Sequence, residues 1–67
     1  MAKLLKIQDT AIRVDCIIAV ERVKRDGEYY VDVYLKNREL PHSIKCEKES
    51  EAIRIYFFVI MAIEDED

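Results

Sequence analysis

A single glycine, a single proline, a single histidine, two cysteines and no tryptophan leave this 67-residue chain short of several kinds of chemistry. One glycine cannot build a glycine-rich loop around a phosphate. Two cysteines are too few for a disulfide scaffold, and with one histidine they do not complete a zinc set. His42 and Ser43 are neighbours on an expected strand, so their side chains point to opposite faces and form no dyad. Glu47, Glu49 and Glu51 lack the further oxygen ligands and the glycine of a calcium loop. No catalytic group, metal or cofactor is expected, and the chain reads as a non-enzyme.

Long apolar runs are also missing. The longest, 55–63, has nine residues, against about 20 for a membrane-spanning helix. No basic-then-apolar leader opens the chain, so a cytoplasmic protein with reduced Cys16 and Cys46 is expected. The net charge is −3, with 11 Lys and Arg against 14 Asp and Glu. That balance argues against general binding to phosphate backbones, which depends on cations displacing counterions. An apolar fraction of 51% is too high for a disordered chain.

The length suits one domain, 1–67. Strand signals come first. Segment 3–8 places Leu5 and Ile7 on one face, and 11–14 pairs Ile12 with Val14. Asp15 marks a turn or bulge, and 16–24 is rich in β-branched residues. Asp26-Gly27 between two strand-like runs signals a tight hairpin, because a type I′ turn needs positive φ at both central residues. Segment 29–36 alternates, with Tyr29, Val31, Val33 and Leu35 toward the core and Tyr30, Asp32, Tyr34 and Lys36 outward. Asn37 marks the next turn. Segment 39–46 places Leu40, His42, Ile44 and Cys46 on one side, and Pro41 puts this strand at an edge. The last segment, 51–64, reads as a helix capped by Ser50, although its β-branched content would also suit a buried strand. An acidic tail covers 64–67. The expected fold is α+β: an antiparallel β-meander of four to five strands with one C-terminal α-helix packed on the sheet.

That helix carries too much apolar surface for a single sheet. At about 100° per residue, Ile53, Tyr56, Phe57, Ile60 and Ile63 form a stripe suited to the sheet. The other side then presents Ile55, Phe58, Val59 and Ala62, which implies a second protein surface, most simply an identical chain. A homodimer or higher oligomer through these four residues is expected. The alternative is a sheet curled around the helix within one chain. A domain below roughly 70–80 residues gains about 3–5 kcal/mol from its core, which also favours association.

Two functions follow. The first is a non-catalytic adaptor or inhibitor that binds an unknown protein partner. The alternative uses the basic cluster Arg13, Arg22, Lys24 and Arg25 with Tyr30 and Tyr34, the ingredients of a stacking surface for a nucleotide or single-stranded nucleic acid. A phage-type protein that sequesters a nucleotide would fit it. The bland reading of the same residues is cross-strand pairing of Arg22 or Lys24 with Asp32 or Glu28.

Ile17-Ile18 opening a strand that ends in Glu21-Arg22, Val31-Asp32-Val33-Tyr34-Leu35 before an Asn37 turn, and Ser50-Glu51 opening a last helix resemble a group of very short bacterial and phage proteins. The group includes the small flagellar or swarming-motility (FlbD-like) family. The resemblance implies an accessory or regulatory protein without catalysis and assigns no site residue.

Overall fold

In a computed structural model, which describes residues 3–65, five strands precede one helix. They are β1 (Leu4–Ile7), β2 (Thr10–Arg13), β3 (Ile17–Arg25), β4 (Glu28–Leu35), β5 (His42–Cys46) and α1 (Glu49–Glu64). A short 3-10 turn, Val14–Cys16, separates β2 from β3. It breaks the expected continuous meander into two antiparallel sheets, the hairpin β1-β2 and the three-stranded sheet β3-β4-β5. The α+β arrangement, with a C-terminal helix on the sheet, is as the residue pattern predicts.

The turns follow backbone chemistry. Asp26 and Gly27 both have positive φ, 52° and 79°, as a type I′ turn demands. Asn37, at φ 64°, reverses the chain after β4. The first reversal falls at Gln8, φ 55°. Pro41 and Leu40 lie before β5 rather than inside it, because proline has no N–H to give the ladder. β5 is an edge strand, as Pro41 suggests.

Alternation on β4 holds on the inner side. Val31 and Val33 are fully buried, with Tyr29 and Leu35 packed against the same cluster. The register places Val31 between Arg22 and Ile44, and Val33 between Val20 and His42. Leu5, Ile7, Ile12 and Val14 from the hairpin join this core. Fully burying a side chain of this kind stabilises by roughly 1.5–3 kcal/mol.

The helix begins earlier than expected and is capped differently. Lys48 is the residue before its first turn, and no side chain caps it there. Ser50 lies inside the first turn. The Glu51 carboxylate instead accepts the Glu47 N–H at 2.8 Å, so an acidic side chain satisfies a backbone donor ahead of the helix.

The facing of α1 corrects the expected stripe. Ala52, Ile55, Val59 and Ala62 are buried against the sheet. Ile55, Val59 and Ala62 therefore belong to the chain's own core and are not an oligomer interface. Of the four residues expected there, only Phe58 is exposed, at 50%. The reason is steric. Alanines at both ends of the buried row let the helix approach the sheet closely, where rings would hold it off. Ile53, Phe57 and Met61 point outward, while Tyr56, Ile60 and Ile63 are half-buried on the flank. The acidic tail is described only as far as Asp65; Glu66 and Asp67, like Met1 and Ala2, lie outside the described residues.

Candidate functional site

The two faces of the three-stranded sheet divide the expected basic cluster. Arg22 and Lys24 fall on the helix side of β3, because their register partners are Val31 and Tyr29. The Arg22 guanidinium lies over the Tyr56 ring at 5.4 Å, and the Lys24 ammonium over the Tyr29 ring at 5.2 Å. Arg25, Tyr30 and Tyr34 share the outer face. Arg13 stands apart on β2, paired with Asp15 at 2.8 Å. The six residues therefore do not form one surface. A one-residue step along a strand changes face, and Lys24 and Arg25 are adjacent.

The outer face is a polar network built around Asp32, which is 3% exposed on the side of β4 opposite Val31 and Val33. Its carboxylate accepts from the Arg25 guanidinium at 2.5 Å and from the Ser43 hydroxyl at 2.7 Å. Arg25 also lies over the Tyr30 ring, 4.8 Å from its centre. Lys45 pairs with Glu28 at 2.8 Å. The Tyr30 hydroxyl donates to Glu28 and the Tyr34 hydroxyl to Glu21. Cross-strand pairing is thus the rule here, but its cations are Arg25 and Lys45 rather than Arg22 and Lys24.

These contacts move the titrations. The hydrogen bond to Asp32 holds the Arg25 proton more tightly. Bonds from Lys45 and then Tyr30 lower the Glu28 carboxyl, and Glu28 raises Lys45 in return. Desolvation, then the bond to Glu21, raises the Tyr34 phenol. Every group in the network has a partner, so the face offers Arg25 to a ligand only at the expense of Asp32, and the Tyr30 hydroxyl only at the expense of Glu28.

The unpartnered surface is on the other side of the molecule. Phe57 (53% exposed), Phe58 and Met61 (62% exposed) form the outer face of α1, with Ile53 at its margin. Leu4, Phe58 and Met61 line a groove where β1 runs beside the helix. Periodicity could not locate this patch, because almost every helix position from 52 to 63 is apolar. The signal lay in size: the alanines mark the close contact.

Both cysteines are free thiols. Cys46 is buried in the core and Cys16 is half-buried. Burial pushes the Cys46 thiol up. Among the described residues no helix is long and apolar enough to cross a membrane. No protein family, no curated protein and no solved structure matches this chain.

Proposed function

We propose that this chain is a small non-catalytic binding protein, an adaptor or inhibitor, that pairs with a second copy of itself through the outer face of α1. The observation that carries the reading is the row Phe57, Phe58 and Met61, half or more exposed on a chain whose core is small. Contiguous apolar surface of this kind marks interaction sites. The resemblance to short flagellar accessory proteins points to the same non-catalytic role.

Charge favours an identical partner. Arg54 is the one cation of α1, beside Phe58, while Glu64 and Asp65 close the other end of the patch. None of the three makes an ion pair among the described residues. Arg54 and Glu64 are about 15 Å apart along the axis at 1.5 Å per residue. A two-fold axis between Phe57 and Met61 sets the helices antiparallel, with each Arg54 against the other copy's acidic end. Such an interface is isologous and closes at two chains.

Mass in solution tests this. Light scattering across a dilution series is expected to show a dimer that dissociates on dilution, and Phe58→Glu is expected to yield a folded monomer. A monomer at every concentration, unaltered by Phe58→Glu, refutes the reading. Arg54→Glu is expected to weaken pairing, and mixing it with Glu64→Arg, Asp65→Arg chains is expected to restore a mixed dimer.

A further inference from the structure

We propose that the cleft between the end of β2, the β4–β5 loop and the start of β5 binds a small ligand through a phosphate or diphosphate group. Arg13 comes to it from β2, Lys36 and Arg38 from the loop, and His42 from β5. No Asp or Glu lines it, in a chain whose net charge is −3. Concentrating cations at one spot of an acidic protein creates a local field that attracts anions.

Elsewhere on the sheet the cations are satisfied. Arg22 and Lys24 lie on rings, Arg25 meets Asp32, and Lys45 meets Glu28. Lys36 and Arg38 meet neither a carboxylate nor a ring among the described residues. Arg13 shares one guanidinium nitrogen with Asp15 and keeps further N–H donors. An arginine fork matches phosphate oxygens in pairs, and a lysine adds a point charge. The Thr10 hydroxyl, also at the cleft, is a further donor.

The loop that carries two of these cations is held in place. The Lys36 N–H donates to the Cys16 carbonyl at 2.8 Å, and Asn37 in the left-handed region turns the chain so that Lys36 and Arg38 both border the cleft. The space is about 260 Å³, below the roughly 300–1,000 Å³ of sites that enclose whole cofactors. Its apolar lining is aliphatic, Ile12 and Leu35, and its one ring is the His42 imidazole. With Arg13, Lys36 and Arg38 around so small a space, the phosphate group is what is gripped. This inference is independent of pairing through α1, because the cleft and the helix patch share no residue.

Titration of the full chain with inorganic pyrophosphate at low salt, followed by calorimetry and by backbone amide NMR, tests it. Saturable binding is expected, with the largest shifts at Lys36, Arg38 and Arg13, and with affinity falling as salt rises. Arg38→Gln and Lys36→Gln are each expected to weaken binding by about tenfold; both sites are exposed, so the fold persists. Lys48→Gln, exposed ahead of the helix, is expected to change nothing. Failure to saturate, or equal weakening by Lys48→Gln, overturns the proposal. So does an oligothymidylate that binds more than about tenfold tighter than pyrophosphate with shifts reaching Tyr30 and Tyr34, which would make the ligand a strand.

Discussion

Truncating Val59 to alanine is expected to cost this chain a large share of its stability, while truncating its neighbour Phe58 costs little in the monomer. Val59 is fully buried between helix and sheet. Its replacement removes the equivalent of two methylenes, at about 0.8 kcal/mol each. The surrounding valines and isoleucines are held by sheet and helix, so the cavity collapses only partly, adding roughly 1 kcal/mol. The expected loss is about 2–3 kcal/mol, against about 3–5 kcal/mol for the whole core of a domain this small. Phe58 is larger but half in water already, and its loss is worth about 1 kcal/mol. Urea unfolding followed by circular dichroism, at concentrations where the chain is monomeric, measures both. With thermal midpoints moving roughly 4–8 °C per kcal/mol in domains of this size, the two variants separate clearly. If Val59→Ala falls within about 0.5 kcal/mol of the parent, as surface changes do, or if Phe58→Ala is the costlier, the assigned helix facing is wrong.

Other perturbations probe the remaining elements. Asp32→Ala strands the Ser43 hydroxyl and the Arg25 guanidinium and is expected to lose about 1–3 kcal/mol; the double variant with Ser43→Ala then loses less than the sum, read by denaturant unfolding. Gly27→Ala meets no atom within 4 Å, so its expected cost, about 1–2 kcal/mol, is backbone strain at φ 79° alone. The lowered Glu28 carboxyl contributes stability above its unfolded pKa, about 4.3, and that contribution disappears as pH falls through the lower folded value. Lys45→Gln is accordingly expected to reduce the thermal midpoint near neutrality, with the difference from the parent closing on acidification. A thiol reagent under native conditions is expected to label Cys16 and to reach Cys46 only after unfolding, because a buried thiol with a raised pKa is slow to react; mass spectrometry of the labelled chain decides it.

Much of this architecture is legible from residue order. Asp26-Gly27, Asn37 and the alternation of 29–36 carry their own backbone geometry, and the structure follows them. Asp15 announces the interruption at Val14–Cys16, though not that two sheets result. The helix facing is not legible by periodicity, because an apolar residue at nearly every position gives no phase; only the alanines distinguish the side that packs closely. The basic cluster misleads for a related reason. Arg22, Lys24 and Arg25 look contiguous along the chain, but strand alternation and a hairpin put them on two sides of one sheet. The cations that do converge, Arg13, Lys36 and Arg38, come from two separate segments, with His42 from a third beside them, and nothing local in the sequence links them.

The Asp32 network has an architectural consequence. A side of the sheet studded with Arg25, Lys45, Glu28 and a sheltered carboxylate resists being roofed by another apolar layer, since each charge would then be stripped of water. The molecule therefore has a back that is costly to dry, so pairing of the kind proposed for α1 is expected on the front.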